Sequence, residues 1–406
     1  VELKTKHVPD PLSLSTYPRI LTVPHLSFSS VCWFTDRPTM MARPFFIAAV
    51  WVVQRRFASA FAPSSAKTAS QRSSVRLFTT AVEGLDLCLS RLSTLQTMLN
   101  THGAPGSTHC KSPNDLHPVG SSLTEHDDLT DLHPYLFPVA QSTSSPDAFI
   151  CAYRNPSTEE SDKNFPWPIV ETKLGGPGFK LLALNSEHLM RRIACESDDD
   201  ASGGETTELV AMYNDGVGEG KIADPLLDTP YQVGSVAQLG YGVDKYVLLR
   251  VGPFPDLYEA MAKQHRENGD DQSSLIAAET SNKKLSGFSS NFLFYARLLN
   301  CYPNRLEEVR DAARMCLRLP LPTIGLSYED LKDVAVLGQI ADESDDDDVA
   351  LDKLAKFYAK LHEAEKDDDQ GQRTPVQAAF EEASLLLDQA ALTKKSCSSI
   401  RDEIGA

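Results

Sequence analysis

The chemistry this chain could carry is best sought in a few unusual clusters. Gly216-Val217-Gly218-Glu219-Gly220 is glycine-rich, and such loops bind phosphate when backbone N–H groups converge at a strand-to-helix turn. The third-glycine spacing of a dinucleotide fingerprint is absent, and Lys221 does not belong to a Gly-Lys-Ser/Thr sequence, so the segment reads as a flexible turn. His102, His109, His117, His126 and His133 fall close together with Cys110 and several aspartates. These residue types ligate metals, but the irregular spacing does not define a ligand set. The acidic run Asp342–Asp348 lacks the glycine and the closing glutamate of a calcium-binding loop and reads as a solvated loop between helices. There is no G-x-S-x-G elbow, no H-E-x-x-H and no kinase signature. Cys88 and Cys397 have no histidine beside them in sequence. No catalytic, cofactor-binding or metal-ligating residue is therefore assigned, and no cofactor.

The remaining candidates lie in Gly234–Pro255, where Gly240-Tyr241-Gly242, Lys245-Tyr246, Arg250 and Gly252-Pro253-Phe254-Pro255 crowd together. Tyrosine and arginine are frequent anchors of protein interfaces, so Tyr241, Tyr246 and Arg250 are candidate partner-binding residues. The structural reading of the same segment is a strand or extended chain that seals the end of the helical region.

The elements that would position these residues are mainly helical. Leu85, Leu89, Leu92, Leu95 and Leu99 recur at helical spacing, predicting an amphipathic helix over 81–100. Residues 101–164 are rich in Pro, Ser, Gly, Asp and His and read as a disordered linker. Residues 165–252 alternate short apolar pieces with Gly and Pro, predicting a small irregular α+β or helical domain. Within it Ser186 is the expected N-cap of a helix over 187–196, broken by the acidic stretch 197–205. From 253 to 406 helix follows helix, with spans predicted over 255–268, 272–284, 290–300, 306–319, 327–340, 349–364 and 374–391. Gly269, Pro320 and Pro322 act as stops, and Pro375 sits in the first turn of the last helix.

Charge narrows the partners. The chain has 406 residues and a formal net charge of −17. Its first 80 residues hold 10 of the 39 Lys and Arg and 3 of the 56 Asp and Glu, so the remainder carries 29 basic and 53 acidic residues, net −24. Sequence-independent nucleic-acid binding needs Lys and Arg against phosphate, and anionic membrane surfaces repel such a chain. Basic partners are favoured. Seven cysteines follow residue 80 and none forms a C-x-x-C pair, which reads as reduced, structural thiols. No later apolar run reaches the roughly 20 residues that span a bilayer.

The first 80 residues carry an address. Met40 and Met41 are followed by Arg43 and the apolar run Pro44–Val53, and small residues follow at Ala58, Ser59 and Ala60. This is the order of a signal peptide, over 40–60. No Asp or Glu occurs from Arg37 through Val82, and 61–80 is rich in Ser, Thr and Arg, as in a transit peptide. Ala58-Ser59-Ala60-Phe61-Ala62-Pro63 resembles the bipartite presequence motif of algae with secondary red plastids, such as diatoms. The resemblance implies cleavage before Phe61 and delivery through the secretory pathway to the plastid, with the stroma as the expected compartment. Residues 1–39 do not fit an N-terminal signal and are expected to be a gene-model extension, absent from the cell's protein.

The helical part also bears a resemblance. Gly269-Asp270 and Asn304 mark successive inter-helix turns 35 residues apart. Val309, Ala313, Cys316, Leu317 and Pro320, and later Leu337-Gly338 and Ala350, are similar to tetratricopeptide-repeat positions, with Ser274 and Val309 standing where alanine is expected. A solenoid of helical hairpins is thus expected over 253–406, and such solenoids present grooves to other proteins. In plastids that resemblance implies a non-catalytic interaction scaffold or assembly factor, for instance for a photosynthetic complex, with a plastid protein as partner. The alternative is a plastid enzyme with its active site in 165–252.

Overall fold

Short apolar runs separated by turn residues build an antiparallel sheet, and the chain then turns wholly to helices. The structure, a computed structural model, describes residues 89–119, 129, 132–154, 167–201, 207–218, 227, 229–363, 388, 391–392 and 394. All fall in a unit spanning Thr68–Ala406. The targeting residues 58–63 lie outside the described residues.

The chain opens with a helix over residues 89–102, α1. The sheet follows: β1 (Leu116–Pro118), β2 (Leu136–Ser142), β3 (Ala148–Tyr153), β4 (Ile169–Lys173) and β5 (Phe179–Ala183). Spatial order equals chain order and every pairing is antiparallel, so the strands form a meander. Successive side chains of a strand point to opposite faces, and this sheet is covered on both. Ile150 and Ala152 face Leu95, Met98 and Leu99 of α1. Phe149 and Cys151 face a second core with Tyr258, Leu285 and Phe288.

Three of these strands fall within 101–164, the stretch expected to be a linker. The strands escaped notice for physical reasons. β3 is buried on both faces, so it lacks the apolar–polar alternation of a half-exposed strand. β2 contains Pro138, placed where the register with β3 shifts, which is where a sheet tolerates proline.

Beyond the sheet lie α2 (Ser186–Asp200), α3 (Glu208–Gly218), α4 (Ser235–Leu239) and α5 (Val243–Arg250). The cap of α2 is Asn185, not Ser186: its side chain accepts from the His188 N–H at 2.6 Å. The helix runs on through the acidic residues because Asp198 is buried and paired, accepting from the Tyr231 hydroxyl at 2.6 Å and the Gly234 N–H at 2.9 Å. Gly216 and Gly218 lie inside α3, not in a free turn. The segment expected to be extended forms α4 and α5. Gly240 (φ 71°) and Gly242 (φ 82°) break the backbone between them, a conformation glycine adopts readily.

From Pro255 onward the chain forms α6 (Pro255–Glu267), α7 (Asp271–Lys284), α8 (Ser290–Asn300), α9 (Leu306–Cys316), α10 (Leu321–Ile324), α11 (Tyr328–Leu337) and α12 (Asp347–Glu363). All but α10 fall where periodicity and caps place them; α10 is a short extra turn containing Pro322, a residue expected only as a stop and one that a first helical turn tolerates. α6 packs on α7, α8 on α9, and α11 on α12, with α7 against α8 and α9 against α11. Small residues lie at the α8–α9 contact, where Ala313 and Ala296 are fully buried with Leu299 and Val309. The predicted helix over 374–391 lies largely outside the described residues; residues 388, 391 and 392 are helical. No helix among the described residues is long and apolar enough to cross a membrane.

The short α10 ties the helices to the sheet. Gly325, at φ 56°, lies against the Phe179–Lys180 peptide of β5, and a side-chain carbon there would overlap the Phe179 carbonyl. A side-chain carbon on Gly178 would lie 2.7 Å from the Pro322 carbonyl oxygen. Two glycines thus allow backbone to meet backbone.

Candidate functional site

The three residues singled out in 234–255 separate in the fold. Tyr241 is 65% exposed at the α4–α5 turn, and Arg250 is exposed in the last turn of α5. Tyr246 belongs to the core shared with α1 and α2. The histidines are dispersed as well. His102 lies 3.7 Å from Glu196, His117 is on β1, and His133 packs edge-on against Tyr135 and Phe179. Among the described residues, no group of three His, Cys, Asp or Glu is placed to hold a metal. Cys110, Cys151, Cys195 and Cys316 are buried free thiols, and burial raises the Cys110 thiol to about 11.

A different set of residues forms a cleft of about 440 Å³ between the sheet edge and the helices. Glu259, Lys263 and Arg266 line it from α6, one helical turn apart, as i, i+3 and i+4 spacing dictates. Leu293, Phe294, Arg297 and Leu298 form the facing stripe of α8, with Ser290 at its start and Cys301 just past its end. Leu326 and Asp330 close it from the entry to α11, and Lys180 reaches in from β5. The glycine contact of α10 with β5 sets this last placement.

Thr108 lines the cleft from the turn after α1, and a buried carboxylate holds that turn. Glu171 of β4 accepts from the Ser107 hydroxyl at 2.6 Å, the Thr108 N–H at 3.0 Å and the His109 N–H at 2.9 Å. A carboxylate so bonded can be buried at modest cost. Lys180 Nζ then donates to the Thr108 hydroxyl at 3.2 Å.

The cleft is cationic. Its lining holds four cations, Lys180, Lys263, Arg266 and Arg297, and two carboxylates, Glu259 and Asp330, and a third carboxylate, Asp333, meets Arg297 from beside it. Arg297 is bound, donating to Asp330 at 2.6 Å and Asp333 at 2.5 Å. Lys263 lies 3.7 Å from Glu259 and 5.5 Å from the centre of the Phe294 ring. Lys180 and Arg266 make no ion pair among the described residues. Burial pushes the Glu259 carboxyl above the usual range, against the pull of Lys263 and Lys180. The arrangement offers two cations without an ion-pair partner among the described residues and the half-buried face of Phe294, which are means of binding. The sequence signal for it was faint, consisting of Lys263 and Arg266 on one helix face and the stripe 294–297–298–301 on another.

The chain matches the PAB middle domain over residues 255–341, a stretch that holds every cleft residue except Thr108 and Lys180. It is 31% identical over 230 residues to a protein of Arabidopsis thaliana named Protein IN CHLOROPLAST ATPASE BIOGENESIS, chloroplastic. The aligned region covers 55% of this chain and 61% of that relative, so the chain spans about three fifths of the relative's length. No solved structure matches it.

Proposed function

We propose that this protein is a plastid assembly factor, acting in biogenesis of the chloroplast ATPase by holding a protein partner rather than by catalysing a reaction. The observation that carries this reading is the coincidence of the PAB middle domain with the cationic cleft, in a chain similar to a chloroplast ATPase biogenesis protein. The cleft lies mainly on α6, α8 and α11, with Lys180 alone drawn from 165–252, which favours a binding surface on the helical hairpins over an enzyme site in the preceding segment. The acid-free stretch and the Ala58–Pro63 hexamer support a plastid address reached through the secretory pathway, with the stroma as the place of action.

The test is genetic. Cells lacking the protein should accumulate less assembled ATPase while its subunits are still synthesised, as read by native gel electrophoresis and pulse labelling. Restoring the wild-type chain should restore the complex. Normal ATPase levels in the mutant would overturn the proposal.

A further inference from the structure

We infer that the cleft between β5, α6 and α8 binds an acidic polypeptide segment punctuated by apolar side chains. That the segment belongs to an assembly partner rests on the function proposed above; the chemistry of the ligand rests on the cleft.

The first argument is charge. A chain with 56 acidic and 39 basic residues sets four cations against three carboxylates in and beside this cleft, Glu259, Asp330 and the Asp333 that binds Arg297. Lys180 and Arg266 are without ion-pair partners among the described residues, and Lys263 is held only loosely, at 3.7 Å from Glu259. An anionic ligand would complete these groups, and charge complementarity of this kind selects a partner more than it adds raw affinity.

The second argument is the aromatic face. Phe294 of α8, half-buried, lies beside the cations, backed by the buried Leu293 and Leu298. A simple anion leaves this ring unused, whereas a peptide alternating carboxylates with leucine or phenylalanine engages both the ring and the cations. The third argument separates peptide from other anions. The cations come from three elements, β5, α6 and α8, and not from a helix N-terminus or a glycine loop that would grip one phosphate with backbone N–H groups. A nucleic acid needs a run of phosphate contacts, and a chain of net charge −17 repels a long polyanion beyond the reach of one small cleft.

The experiment uses the full chain after removal of the presequence, and fluorescence anisotropy of a short labelled peptide alternating glutamate with leucine and phenylalanine. A peptide with lysine in place of glutamate is the control. The acidic peptide should bind, weakening with salt, and the basic one should not. Lys263→Glu with Arg266→Glu, both exposed positions, should weaken binding about tenfold or more with an unchanged circular dichroism spectrum. Phe294→Ala should weaken it at unchanged salt dependence. Equal binding of both peptides, an unaffected double variant, or displacement of the peptide by inorganic phosphate or by a single-stranded oligonucleotide would overturn the inference. A mutant cell line with normal ATPase alongside intact peptide binding would remove the biogenesis role and leave the cleft. The converse result would remove the cleft's ligand and leave the role.

Discussion

Arg192 of α2 grips Asp256 in the first turn of α6 through two parallel hydrogen bonds of 2.8 and 2.7 Å. Its remaining Nε–H bonds Glu196 at 2.7 Å, and its guanidinium stacks 4.8 Å from the centre of the Phe254 ring. The guanidinium fork matches the carboxylate in a way an ammonium does not. The pair joins the layer on one face of the sheet to the helix that lines the cleft.

Removing this arginine should be costly, because Arg192 is 4% exposed and its loss strands Asp256. Arg192→Ala is expected to lower stability by about 3 kcal/mol, measured by urea unfolding. Arg192→Lys should recover only part of that. Equal stability of the alanine variant and wild type would show that the pair is dispensable.

Gly325→Ala tests the joint between α10 and β5. The added carbon would overlap the Phe179 carbonyl, at a positive φ, so the backbones must separate. A loss of about 1–3 kcal/mol is expected, with weaker acidic-peptide binding because Lys180 moves with β5. Unchanged thermal unfolding would contradict the close contact.

Ala313 offers the matching test within the helices. It is fully buried with Ala296, Leu299 and Val309. Ala313→Leu should overpack the α8–α9 contact and cost about 1–3 kcal/mol. A variant as stable as wild type would mean that the crossing has room to spare.

His133 and Asp388, 3.9 Å apart, give a pH test. Burial lowers His133 to about 4 and raises Asp388 to about 7. The histidine is held neutral, so it removes stability as pH falls from its ordinary 6.5 towards 4. The carboxyl is held protonated, so it removes stability as pH rises from its ordinary 3.8 towards 7. The two slopes oppose each other in the shared window. His133→Phe should remove the first slope, so that between about pH 4 and 6.5 the variant gains less stability with rising pH than wild type does. Parallel profiles for the two proteins across that window would contradict the assignment.

The presequence makes its own prediction. A fluorescent fusion of residues 40–80 should reach the plastid, and Phe61→Ala should stall it before the stroma, as seen by microscopy. Peptides from 1–39 should be missing from the protein recovered from cells. Normal delivery of the Phe61→Ala fusion would sink the targeting motif.

The helices from Pro255 onward were legible because their apolar spacing, caps and stops agree. Gly269 at φ 76°, the Asp270 cap and the Ser327–Asp330 capping box act locally, and local signals survive in sequence. The sheet was not, since β3 owes its burial to layers on both sides and β2 carries a proline. Asp198 extends α2 only because Tyr231 and Gly234, more than thirty residues away, satisfy it. The cleft was hidden for the same reason: Lys180, Arg266 and Arg297 stand far apart along the chain, and only the packing of β5, α6 and α8 brings them together.

The seat of α10 on β5 also bears on how this protein stays out of unwanted company. An antiparallel sheet ordinarily ends in a row of unpaired backbone groups that recruits strands from other chains. Here one terminal strand, β1, is only three residues long, and the other has the backbone of Leu321–Gly325 laid against it. Neither border offers a long template for strand addition, so exposed strands of another chain find little here to join. The partner binding proposed above would then rest on side chains, which can let go.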